Sequence, residues 1–196
     1  MIAKAELTKQ EYQVLSEAII VVAYLHDIND AKYDKDGLLD AKLREFLRYI
    51  YAHHGVSAFN PDDTPTTTSD EYTDIILAII HAISYSRENR AIEAGFPINF
   101  EKRLGKIAAL IRNIVSDADK LCAIGIIGLN RCEEYTIAYN PDISRKKLIY
   151  EVVKHYDEKL SRLSSEFIRT KTGKEMAAPL DEAMLRKITI YRNLLA

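Results

Sequence analysis

The chain has 196 residues, 47% of them hydrophobic and 29% charged. That is enough for one sizeable hydrophobic core, so a single domain over 1–196 is the expectation. The formal net charge is −2 at pH 7, which excludes the clear basic excess needed to grip a nucleic-acid backbone.

Met1 to Glu6 carries no apolar stretch of the kind a secretory signal needs. Thr8-Lys9-Gln10-Glu11 follows the capping-box pattern, Thr8 at N-cap and Glu11 three residues on, and opens a helix predicted to reach Leu25. Its apolar residues become continuous from Ala18, so that end is expected to be buried on all sides. The run is too short to span a bilayer, and a cytoplasmic protein with no membrane partner is expected. Asn29 to Gly37 is polar and reads as a loop. Leu39, Leu43, Phe46, Leu47 and Ile50 repeat at helical spacing and predict a helix from Leu38 to about His53.

Gly55 to Ser69 holds Pro61, Pro65, Asp62-Asp63 and Thr66-Thr67-Thr68, too much polarity for a core, and reads as a long exposed loop. Thr68-Ser69-Asp70-Glu71 starts another helix, continued by Ile75, Ile76, Ile79, Ile80 and Ile83. After Gly95-Phe96-Pro97 a helix is predicted from Phe100 to Val115. A further one is predicted from Asp117 to Arg131, where Gly125 and Gly128 would let another helix or a ligand come close. Cys122 and Cys132 lie there and match neither a zinc pattern nor a disulfide framework. They read as two buried thiols. Asn140-Pro141 breaks the chain, Ser144 to Ser164 is amphipathic, and Lys174 to Leu194 forms the last helix, bent at Pro179. No long stretch alternates with period two. The predicted class is all-α, with about seven helices, a core over about 8–165 and a C-terminal helix over about 174–194.

Two places carry chemistry. His26 and Asp27 sit side by side at the closing end of a strongly apolar helix, where neither belongs for packing. Burying them costs several kcal/mol, about 2–7 for a neutral polar group, unless each finds a partner. A divalent cation would satisfy both, since neutral imidazole and carboxylate are ordinary ligands for Zn, Mn, Fe, Co and Mg. A helix end whose His and Asp bond to the backbone accounts for the pair equally well. The second place is Ser116-Asp117-Ala118-Asp119-Lys120-Leu121. Asp117 reads as a helix N-cap. Asp119 would then face inward as a buried carboxylate fit for a metal, and Lys120 could meet a phosphate oxygen as a point charge. A capped helix with a solvated Lys120 is the plain alternative.

Taken together these residues resemble the HD superfamily, and more closely the bacterial HD-domain phosphohydrolases that include nucleoside triphosphate pyrophosphohydrolases. Asp117-Ala118-Asp119-Lys120-Leu121-Cys122-Ala123-Ile124-Gly125-Ile126-Ile127-Gly128 is similar to their "DADRLDAIGAIG" helix. His81-Ala82-Ile83 is similar to their "HAI" helix, His155-Tyr156-Asp157-Glu158-Lys159-Leu160 to "HFYEKL", and Thr172-Gly173-Lys174-Glu175-Met176-Ala177 to "TGRELA". The matches run in order over most of the chain from about residue 10.

The resemblance implies a helical bundle and a divalent metal on His26, Asp27 and Asp119. It also implies Lys120 on the phosphoryl group, with Tyr156 and Lys159 lining the substrate pocket. The implied reaction is hydrolysis of a nucleotide phosphate ester or anhydride by metal-activated water, with Asp119 and Lys120 as the catalytic residues. The substrate class is a small-molecule nucleotide or other phosphate, and a homo-oligomer stays open.

One departure bears on this. The family's metal site has four ligands, the first a histidine about thirty residues before the HD pair, but only 25 residues precede His26 here and none is histidine. The family's first helix therefore looks absent. Three readings follow: a start placed at an internal methionine, a weaker site of three ligands and waters, or a degenerate pseudoenzyme that binds a nucleotide or a protein partner. His53, His54 and His81 are possible substitutes. Against that, His53-His54 reads as a solvated helix end and His81 as a core-edge residue with a backbone partner.

Overall fold

The computed structural model describes residues 1–28, 36–54 and 68–196, and every regular element among them is helical. The protein is all-α. Ten α-helices are formed among the described residues rather than about seven. The expected loops at Asn29 to Gly37 and Gly55 to Ser69 lie almost wholly outside those residues.

The chain falls into two compact units, one drawn from Ala3–Val115 and one from Ser116–Ala196. In the first, α1 (Ile2–Glu6) precedes α2 (Lys9–Leu25), whose capping box forms as the sequence dictates: Thr8 accepts from the Glu11 amide and Glu11 accepts from the Thr8 amide. The end of α2 is not buried on all sides. Leu15, Ala18 and Val22 turn inward at helical spacing, whereas Ile20 and Tyr24 are exposed, because α2 meets α4 along one stripe.

α3 (Leu39–His54) buries Leu43, Leu47 and Tyr51 against α4 (Ser69–His81), where Tyr72, Ile76, Ile79 and Ile80 are fully buried. Phe46, expected on the inner stripe of α3, is exposed. Thr68 caps α4 through the Glu71 amide. α5 (Tyr85–Glu93) and α6 (Phe100–Leu104) are short. The single helix predicted from Phe100 breaks at Gly105, whose φ of 80° closes α6 before α7 (Lys106–Ala123) begins.

In the second unit α8 (Gly125–Tyr139), α9 (Arg145–His155) and α10 (Lys171–Leu195) pack on one another. Leu129, Leu148, Val152, Met184 and Ile188 are buried among them. Ser144 caps α9. The winding then passes through two π-helical turns, Tyr156–Leu160 and Leu163–Phe167. α10 starts at a Thr170 cap, earlier than the predicted Lys174, and carries Pro179 inside it. Among the described residues no helix is long and apolar enough to cross a membrane.

Candidate functional site

His26 is the cap residue that ends α2. Its Nδ1 lies 2.8 Å from the Ala23 carbonyl oxygen. A carbonyl can only accept, so Nδ1 carries the proton and Nε2 carries the lone pair in the neutral ring. This is the arrangement by which a metal-binding histidine is usually oriented, one nitrogen tied to a carbonyl and the other presented. Nε2 lies 3.6 Å from Asp27 Oδ2. That is long for a hydrogen bond. It is close to the spacing of about 3.4 Å between two donors that each sit about 2.1 Å from one tetrahedral ion. The His26 side chain is 18% exposed and that of Asp27 68%, but Nε2 itself is buried, so the pair offers one covered and one exposed donor to a cation.

The residues around the second aspartate sit differently from expectation. α7 runs unbroken past Val115 to Ala123, so Asp117 does not start a helix. It is fully buried, and its carboxylate accepts from three donors at the head of α10. The Arg169 amide lies 3.0 Å from Oδ1, and the Thr170 amide and hydroxyl each lie 2.7 Å from Oδ2. Burial pushes the Asp117 carboxyl up from its ordinary range, while the Thr170 and Arg169 bonds and the charge of Lys120 pull it back.

Asp119, two residues on, is exposed rather than inward-facing. Residues i and i+2 of a helix stand about 200° apart, and the inward position belongs to Asp117. Lys120 is neither solvated nor open to a phosphate: it is 3% exposed, and its ammonium donates to the Ser116 hydroxyl one turn back.

Gly125 and Gly128 admit protein, not a ligand. Gly125 takes φ 78° where α7 turns into α8, and a Cβ on Gly128 would stand 2.1 Å from the Ala123 carbonyl oxygen. The two cysteines are not a buried pair, since Cys122 is exposed and Cys132 only partly covered.

Tyr156 and Lys159 both fall on the first π-helical turn. Such turns are rare and recur at functional sites. Tyr156 is buried, and burial lifts its phenol, with Arg192 opposing and Asp181 and Asp157 adding to the rise. His155, just before the turn, is half-buried. Burial first and then the Lys159 cation lower its pKa, with Glu158 opposing. No role for His155 was expected, although it opens the motif that contains Tyr156 and Lys159.

Of the substitute histidines, His53 is exposed and bonds to the Tyr49 carbonyl at 2.8 Å, as a helix-end residue would. The side chain of His54 lies outside the described residues. His81 finds a carboxylate rather than a backbone group, its Nε2 2.5 Å from Asp40 Oδ1. Among the described residues no three or more His, Cys, Asp or Glu side chains gather to hold a metal ion.

No known family profile matches the chain, and no curated protein does. Solved structures do. The crystal structure of Bacillus subtilis YpgQ is similar with a TM-score of 0.57 and 19% identity, over 97% of this chain and 90% of that one. A crystal structure from Lactobacillus plantarum is similar with a TM-score of 0.54 and 21% identity, over 93% of this chain and 81% of that one. The likeness is one of fold.

Proposed function

We propose that this chain is a metal-dependent phosphohydrolase acting on nucleotides. The observation that carries the reading is His26, whose Nδ1 is tied to the Ala23 carbonyl so that Nε2 is presented beside Asp27 at the end of α2. The ordered motif resemblance supports it. His26 and Asp27 would supply two ligands of a divalent cation, and the motif resemblance alone adds Asp119 as a third. Once bound, that ion supplies a Lewis acid and a water of lowered pKa. Tyr156 and Lys159 would meet the substrate, the ammonium as a point charge for phosphate oxygens. A nucleoside triphosphate is the substrate to try first.

The test pairs calorimetric titration with Mn, Fe, Co, Mg and Zn with measurement of phosphate or pyrophosphate release from a nucleotide panel. His26→Gln and Asp119→Asn should each abolish both signals. Tight nucleotide binding with no turnover would instead identify a pseudoenzyme. Absence of both metal uptake and product release would sink the proposal.

A further inference from the structure

His155, Lys159 and Arg162 follow one another at helical spacing where the chain leaves α9 through the first π-helical turn, each of them half-buried. The acids close to this stripe are taken by other cations. Asp157 accepts from Arg192 at 2.6 Å, Glu158 lies 3.9 Å from Lys154, and Glu166 is held by Arg162 through bonds of 2.8 and 2.7 Å. One turn back, Glu151 pairs with Lys147 at 2.7 Å. The stripe is thus neutralised at both ends, and its middle is a histidine beside a lysine. Burial and then the Lys159 cation hold the His155 pKa down, with Glu158 the smaller, opposing influence. Packing calls for neither residue, because Tyr156 and Leu160 fill the buried positions next to them. Two basic groups, half-covered and side by side, hinder each other's ionisation. Local conflicts of this kind fall at functional sites, and a bound anion would resolve this one.

We propose that His155 and Lys159 form an anion subsite on the first π-helical turn and take the phosphate oxygens of a nucleotide. An ammonium carries three N–H donors, so Lys159 can meet a phosphate oxygen and a protein acceptor at once. The imidazole adds a charge-assisted donor, because the anion's own charge favours its protonated form. Both residues belong to the second unit, and no metal ion takes part. The subsite rests on the reading of Lys159 as a phosphate contact, and its test needs neither a metal nor turnover.

The His155 imidazole is followed by NMR through a pH titration of metal-free protein, its signal assigned among the 5 histidines by its loss in His155→Asn. Inorganic phosphate and a nucleoside triphosphate should each move its titration midpoint upward by about 1 pH unit. The matching nucleoside, and sodium chloride at equal ionic strength, should leave it in place. Linkage is reciprocal, so phosphate should bind about 10-fold more tightly when the ring is protonated.

Lys159→Gln should raise the midpoint in the absence of ligand, since the cation that held it down is gone, and should abolish the response to phosphate. Lys154→Gln, which removes an exposed cation one residue before His155, should keep that response. A midpoint that phosphate does not move overturns the proposal, as does an equal response in the Lys159→Gln protein. A response to free phosphate with none to the triphosphate also overturns it. A full response in a protein that hydrolyses no nucleotide keeps the subsite and removes the hydrolase reading.

Discussion

Among the described residues of the first unit, Arg112 and Glu88 are the most deeply buried charges, 2.5 Å apart with side chains 0% and 1% exposed. The Arg112 guanidinium also donates to the Ala82 carbonyl at 3.0 Å and lies 3.9 Å from the centre of the Phe100 ring. One cation thus ties α5, the end of α4 and the start of α6 to α7. Glu88→Gln takes the counter-charge away and should cost about 3–5 kcal/mol, read as a drop in the urea midpoint. Replacing both partners together, Glu88→Met with Arg112→Leu, should recover most of that loss. The pair was illegible beforehand. Arg112 interrupts an apolar helical run without comment, and its partner lies twenty-four residues away in a helix too polar and short to draw notice. Asp117 was legible as a residue that needs N–H donors. Which donors it would find was not, because they lie more than fifty residues on.

At the scale of elements, helices that announce themselves by a cap and a long apolar stripe were readable in advance: α2 from Thr8 and α4 from Thr68. Breaks within continuous apolar sequence were not. Lys106 to Tyr139 keeps its helical spacing across the turn at Ile124-Gly125, where the extended Ile124 and the positive φ of Gly125 separate α7 from α8. Gly128 is the second half of that turn. It brings the body of α8 under the last carbonyl of α7, where any side chain collides with backbone rather than with a movable group. Gly128→Ala should therefore destabilise by about 1–3 kcal/mol, the range for overpacking. Its urea denaturation midpoint, set against that of the unsubstituted chain, checks this.

For the whole chain, the all-α class followed from the absence of period-two stretches, and its likeness to the Bacillus subtilis YpgQ structure spans nearly its full length. Each unit carries its own buried apolar set, so a ligand's effect on stability is a sensitive probe of the proposed ion. Binding to the native state alone stabilises by linkage. Mn²⁺ at a hundredfold excess over its Kd should add about 2.7 kcal/mol, and a chelator should reverse it. His26→Gln should show no such response. A thermal scan with and without Mn²⁺ reads this directly, and equal responses in wild type and variant would place the ion elsewhere.

The two π-helical turns between His155 and Ile168 have a consequence for how this stretch can change over evolutionary time. An i→i+5 turn holds one residue more than an α-turn, as the Ile168 amide bonding back to the Leu163 carbonyl at 3.0 Å illustrates. The segment from Tyr156 to Phe167 therefore behaves like a sentence with two spare letters. Losing either letter would leave a legible helix but shift its phase by about 100°, carrying Tyr156 and Lys159 to a new face relative to Phe167. Substitutions there adjust a side chain. Insertions and deletions re-aim all of them at once.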